Sequence, residues 1–252
     1  MTVDRRGVAT VTLDRPERAN AYDYAALESL ADAFARFGAD EHVRVIVLRG
    51  AGRHFSGGAD VGWHGRRAKD PKNVPDPGMI WDVCAKLRAT PAPTIALVHG
   101  ACVGGSLGLA ASCDILIAAS TALFSMPEVR LGFAPGPGSA PVFARAVGLR
   151  NFRRYAMTGQ RFGAADALRI GLAHELCDFE EMDEALNAQI EEILLAAPTA
   201  ARRTKLMGLK LEPPVPSLKD IEHLFTGSLG SAEAEEGRKA FQEKRKPAWY
   251  PK

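Results

Sequence analysis

Cysteine is scarce in this chain, with four residues among 252, at Cys84, Cys102, Cys113 and Cys177. They show no C-x-x-C spacing and no accompanying histidine cluster, which argues against a disulfide framework and against a metal site. They read as buried thiols of a cytoplasmic protein. An excess of one charge is also missing. Lys and Arg number 32 against 30 Asp and Glu, a formal net charge of +2, too balanced for a nucleic-acid surface. Any phosphate recognition must therefore be local. Long apolar runs are lacking as well. The N-terminal Met1 to Arg6 has no apolar core of the signal-peptide kind. The nearest approach to a spanning segment, Pro93 to Asp114, is interrupted by His99, by paired glycines and by Asp114, so no membrane partner is expected.

What the chain does have is enough apolar material for a sizeable core, 46% of its residues, in a length suited to one large α/β domain with or without a helical appendage. Val8 to Leu13 alternates as a strand. Asp23 is placed to cap a helix from Tyr24 to about Phe37, with Leu27, Leu30, Ala31 and Phe34 on one face. Val43 to Arg49 returns as a strand, and the rhythm recurs with strands at Thr94–Val98, Ile115–Ala118 and Leu123–Ser125. No sequence repeat of fixed period is present. Arg66 to Pro77, rich in charge and proline, reads as a surface loop, either a flap over a pocket or a tolerated insertion. From Gly148 onward helices dominate, at Leu149–Met157, Ala164–Arg169, Glu180–Ala196 and about Ser217 to Lys244. Glu212 to Pro216 reads as a hinge before the last of these.

Two glycine loops carry the functional signal. His99-Gly100 breaks the strand Thr94–Val98, and Gly104-Gly105-Ser106 then opens a helix of small residues. A helix start presents unpaired N–H groups, and glycine lets a ligand oxygen approach them without meeting a Cβ. The second loop, His54-Phe55-Ser56-Gly57-Gly58-Ala59-Asp60, likewise leaves the end of a strand. Pro127-Glu128-Val129-Arg130-Leu131-Gly132 follows further on. Together with Arg15 to Ala21 near the start and Ala240 to Pro247 near the end, these segments resemble, in order, the crotonase (enoyl-CoA hydratase/isomerase) superfamily. The likeness covers nearly the whole chain. The runs from Gly108 to Asp114 and Glu128 to Arg130, with Glu236-Gly237 before Ala240-Phe241, are most similar to bacterial methylglutaconyl-CoA-hydratase-like members.

The resemblance implies an α/β fold, a crotonase-like spiral of ββα units spanning residues 1–197. A C-terminal helical region, 198–252, would serve oligomerisation and coenzyme A binding in a homotrimer or homohexamer. It implies an enoyl-CoA hydratase that stabilises a thioester enolate in an oxyanion hole formed by the backbone N–H groups of Gly57 and Gly105. Glu128 would be the acid or base. Arg18, Ala21, Ala59, Asp60 and Val61 would line the path of the CoA moiety, and Phe241 and Lys244 would reach the nucleotide of a neighbouring subunit. CoA arrives as part of the acyl-CoA substrate, so no separate cofactor is expected. The chain departs from the family's pattern at Gly108, where hydratases commonly carry a second glutamate, and at Pro135 to Gly138, which replaces P-G-x-G-G. A double-bond isomerase working with one glutamate and a catalytically weakened acyl-CoA-binding protein are the alternatives. Asp60 and Asp114 read as caps, Cys102 as core packing, and His54, His64 and His99 lack the neighbours of a nucleophile or metal site.

Overall fold

The computed structural model describes residues 1–60, 62–63, 79–212 and 218–251, the side chains of 218–221 excepted. Two expected features, the Arg66 to Pro77 loop and the Pro213 to Pro216 part of the hinge, lie outside the described residues, as do Val61 and His64.

Nine strands form two sheets among the described residues. The larger contains β1 (Thr2–Val3), β2 (Val8–Leu13), β3 (Val45–Gly50), β4 (Thr94–Val98), β6 (Ile115–Ala119) and β9 (Glu175–Cys177), in that spatial order. Apart from the antiparallel β1 edge, its pairings are parallel, with Ile46 opposite Thr94 and Ile95 opposite Ile115. Every residue of β4 is buried, as are the first four of β3. Strands covered on both faces read as unbroken apolar runs, which is how these appear in the sequence. The smaller sheet pairs β5 (Ala101–Val103) with β7 (Leu123–Ser125) in parallel, and β7 with β8 (Phe162–Gly163) antiparallel.

The two sheets alternate along the chain. β4 passes through the turn at Gly100 into β5, a helix at Gly105–Ala111 returns to β6, and a turn at Ser120–Ala122 leads to β7. This strand, strand, helix order is the expected ββα spiral. The small sheet went unseen in the sequence apart from β7, because β5 has only three residues, set between glycines.

The helices bury one face each. Asp23 caps Tyr24–Ala39 through Ala26 N–H at 3.1 Å, and the helix presses Leu27, Leu30, Phe34 and Phe37 inward. A fully buried side chain of this size contributes roughly 1.5–3 kcal/mol. The helix packs against a second at Met79–Ala89, which buries Ile80, Val83, Cys84 and Leu87. The helix expected over Leu149–Met157 is the second of two runs separated by a break at Gly148 (φ 77°), the first beginning at Ala140 and the second ending at Thr158.

The C-terminal helical region, from Pro198 onward, is attached to the core at more than one place. The helix Pro198–Leu211 is tied to the α/β core by Lys205 Nζ on Asp114 Oδ2 at 2.8 Å, and by Arg202 on the carbonyls of Asp40, Glu41 and Val43. Beyond it, the expected single tail is two helices, Leu218–Leu229 and Ala232–Gln242, divided at Gly230-Ser231. The second lies directly on Leu131-Gly132. A Cβ on Gly237 would stand 2.4 Å from the Leu131 carbonyl carbon, and one on Gly132 2.2 Å from Glu233 O. Phe133, Phe225, Leu229 and Ala234 close this contact as a small apolar cluster of their own. Among the described residues no helix is long and apolar enough to cross a membrane.

Candidate active site

Asn20 organises the entrance to the site. It lies in the left-handed region (φ 54°), a conformation asparagine tolerates better than most residues, and is buried. Its Nδ2 donates to Ala51 O at 2.8 Å and His54 O at 2.7 Å, and its Oδ1 accepts from Arg15 N–H at 2.8 Å. Ser56 Oγ donates to Asn20 O at 2.8 Å and accepts from Gly58 N–H at 3.1 Å. The Arg15 to Ala21 turn and the first glycine loop are thereby one unit.

The same bonding decides which N–H groups of that loop are available. Gly57 N–H donates to Ala19 O at 2.7 Å. It is therefore committed within the protein and does not face a ligand, which corrects the expected donor. On the next residues Tyr22 N–H donates to Gly58 O and Asp60 N–H to Tyr22 O, both at 2.9 Å. This parallel bridge leaves the N–H of Ala59, between them, with no acceptor among the described residues. Gly58 (φ +90°) permits the path, since a Cβ there would lie 2.5 Å from Val103 O.

The second loop is bound to the first. Ser56 N–H donates to Ala101 O at 2.9 Å and Val103 N–H to Ser56 O at 3.0 Å. Ser106 Oγ, fully buried, accepts from Val103 N–H at 2.9 Å and lies 3.0 Å from Ser56 O. Gly104 N–H is used by Ser125 O at 2.8 Å, whereas Gly105 N–H, the first of its helix, has no acceptor among the described residues. Ala59 and Gly105 both line a cavity of about 700 Å³.

Glu128 opens into the same cavity from the first position of a 3₁₀ turn, Glu128–Leu131, rather than from the end of a strand. Its Oε1 would lie 3.3 Å from a Cβ on Gly104, so the positive φ there (+60°) and the missing side chain both serve the carboxyl's placement. Glu128 is 8% exposed and its Oε2 has no partner among the described residues. Burial pushes the carboxyl up to about 7, against a smaller opposing pull from its own backbone N–H. A carboxyl near neutrality can both take and give a proton. No other carboxylate among the described residues lines the cavity.

Gly108, the family's second glutamate position, is not empty space. A Cβ there would meet the Cα and Cβ of Ser139, each at 2.6 Å. Ser139, buried at the start of the helix Ala140–Thr158, occupies the direction a glutamate side chain would take.

The other expected residues divide. Phe241 and Lys244 line the cavity of their own chain. Arg18 pairs with Asp60 at 3.2 Å, and neither they nor Ala21 is part of the lining. Asp60 caps the next turn through Trp63 N–H. Burial works against its ionisation but is outweighed by the N–H groups of Trp63 and Gly62 and by Arg18, which lower its carboxyl. His54 and His99 hold loops together, on Ala101 N–H and Gly52 O. Burial pushes the Cys102 thiol up to about 12, leaving it core packing.

Sequence reasoning missed Tyr22, whose ring enters the cavity wall, and the cations Arg130, Arg161 and Arg238, which join Lys244 in the lining. The apolar-to-aromatic step at Tyr22 beside Asn20-Ala21 was the available signal. Arg161 and Arg238 are scattered in sequence and offered none, whereas Arg130 lies within the Glu128 motif itself.

Comparison with known proteins agrees with this geometry. A family model described as enoyl-CoA hydratase/isomerase matches residues 4–252. The putative enoyl-CoA hydratase/isomerase YngF of Bacillus subtilis is 31% identical, over 98% of this chain and 96% of its own length. A crystal structure of an enoyl-CoA hydratase from Shewanella pealeana is 34% identical and superposes with a TM-score of 0.79, covering 98% of this chain and 94% of that one. One from Mycobacterium avium subsp. paratuberculosis reaches 0.84 at 27% identity, covering 99% and 97%. With a match running through nearly the whole length, the chain belongs to the enoyl-CoA hydratase/isomerase family.

Proposed function

We propose that this protein moves a proton on the acyl chain of an unsaturated acyl-CoA thioester, and that double-bond isomerisation is the reaction its site fits best. The observation that carries the reading is a buried carboxyl, Glu128, the only one lining the cavity among the described residues, poised near neutrality where Ser139 fills the place of a second one. The thioester oxygen sits between the N–H groups of Ala59 and Gly105. In that pocket Glu128, as carboxylate, takes a proton from C2 of a 3-enoyl-CoA. The electron pair moves onto the thioester oxygen as a dienolate, and the two N–H groups stabilise the charge. The same carboxyl returns its proton to C4, the double bond forms between C2 and C3, and the enzyme ends as it began. No water is fixed. The cationic residues of the lining, Arg130, Arg161, Arg238 and Lys244, suit the phosphates of the CoA moiety, which comes and goes with the substrate.

Hydration of a 2-enoyl-CoA is the second reading, favoured by relatives such as the probable mitochondrial enoyl-CoA hydratase of Dictyostelium discoideum, 30% identical over 261 aligned positions. A catalytically weakened acyl-CoA binder is the third. Incubating the protein with linear and branched 2- and 3-enoyl-CoAs in heavy-oxygen water separates them. Double bonds that move without label entering the product are the expected result. A labelled 3-hydroxyacyl product would establish hydration instead, and thioesters that bind unchanged would leave only the binder. The division at residue 197 and a trimeric or hexameric assembly belong to the same proposal, the latter tested by sedimentation.

A further inference from the structure

Tyr22 stands in the wall of the site with a hydroxyl that no described residue hydrogen-bonds. The side chain is 4% exposed. Its O–H makes no hydrogen bond with any described residue, and the residue lines the cavity, so the hydroxyl is open to a partner from outside the protein. Its position is specific. A Cβ built on Gly105 would lie 1.8 Å from Tyr22 Oη and 3.0 Å from Cζ, so the phenol occupies the room that the glycine leaves. The residue that offers its free N–H to the cavity therefore carries a phenolic hydroxyl at its side.

The backbone of Tyr22 fixes this arrangement. Its N–H and C=O make the two bonds, to Gly58 O and from Asp60 N–H, that leave Ala59 N–H free between them. One residue thus sets the direction of the first donor and places a hydroxyl beside the second. The phenol also keeps its proton. Burial, then the charges of Glu128 and Cys84, hold it well above the ordinary tyrosine range, so at neutral pH it is a donor. A leucine or phenylalanine would fill the same wall without burying a polar atom, which has a cost wherever that atom stays unpaired.

We propose that the Tyr22 hydroxyl is a third hydrogen-bond donor to the thioester oxygen, joining Ala59 N–H and Gly105 N–H as negative charge develops there. This rests on the thioester reading above. A neutral phenol aimed at an enolate oxygen is a known form of such stabilisation, and removing one donor from an oxyanion site typically costs ~10²–10³ in rate. Because two N–H groups remain, the loss here belongs at the lower end.

The test compares wild type with Tyr22→Phe in two measurements. One follows exchange of the C2 protons of butyryl-CoA in deuterium oxide by NMR. The other records the absorbance of bound cinnamoyl-CoA, whose band moves to longer wavelength as its carbonyl is polarised. Tyr22→Phe is expected to slow exchange roughly 10²-fold and to shrink the band shift, with thermal stability unchanged or raised, since no bond within the protein is lost. Exchange within a few-fold of wild type together with an unchanged band shift would overturn the inference. So would a loss of exchange accompanied by a lower melting temperature and an intact band shift, the signature of a packing role. If wild type itself neither exchanges nor shifts the band, the thioester reading has failed and the role of Tyr22 falls with it.

Discussion

Glu128→Gln should make this protein more stable at neutral and alkaline pH. The carboxyl's value of about 7 stands against an ordinary 4.5. Its cause is burial without a partner for Oε2. Below about pH 4 the carboxyl is protonated in both the folded and the unfolded chain, and the shift has no effect on stability. As pH rises from about 4.5 to about 7, the unfolded chain gives up the proton while the folded one keeps it, so wild type loses stability through that window. At about 1.4 kcal/mol per pKa unit, the loss amounts to about 3 kcal/mol by pH 8 and under about 1 kcal/mol at pH 5. A neutral glutamine does not suffer it. Urea unfolding of both proteins at a series of pH values should therefore give a difference that grows with pH in favour of the variant. A constant difference from pH 5 to pH 8 would refute the reasoning, because it would mean that the buried carboxyl ionises as easily inside the fold as outside it. The stability gained this way would accompany a loss of activity, the exchange expected at a site that keeps a strained group for function.

The same ionisation predicts that kcat/KM for a 3-enoyl-CoA rises with pH, half-maximal near about 7, since the base form of Glu128 is the one that starts the reaction. A flat profile between pH 5 and pH 9 would count against Glu128 as the base. Gly108→Ala should lower unfolding stability by ~1–3 kcal/mol, because its Cβ would press on the Cα and Cβ of Ser139, and by less in a Ser139→Gly background. Denaturant titration of the two single variants and the double variant checks the coupling. Asn20→Ala leaves the part-buried carbonyls of Ala51 and His54 without their donor and should cost about 1–3 kcal/mol, measured in the same way.

How much of this was legible in the sequence depends on the range of the interaction concerned. Strands β4, β6 and β7 were readable within a residue, since a buried parallel strand announces itself by local composition alone. So were the capping of Tyr24–Ala39 by Asp23 and the cavity-facing position of Glu128 within its motif. The helix Met79–Ala89 was missed, and Pro198–Leu211 was expected only as part of a helical region from residue 198. The second buries no residue fully and is held by charged contacts to distant carbonyls, so it lacks the apolar stripe that periodicity detects. Gly57 was carried over as donor by position from the family's F-x-x-G-A-D loop, but Ala19 O, 38 positions earlier in the chain, takes its N–H. Gly108 was visible as an absence; its cause, Ser139 packed against it, was not. Such pairings exist only once the two loops and the Ser139 turn have met.

The central claim, that the carboxyl of Glu128 moves the proton, is tested most directly by C2-proton exchange of an acyl-CoA in deuterium oxide, with wild type and Glu128→Gln measured side by side. Exchange in wild type that falls by ~10²–10⁴ in the variant, with acyl-CoA affinity retained, is the predicted result. Exchange in Glu128→Gln within a few-fold of wild type would contradict it.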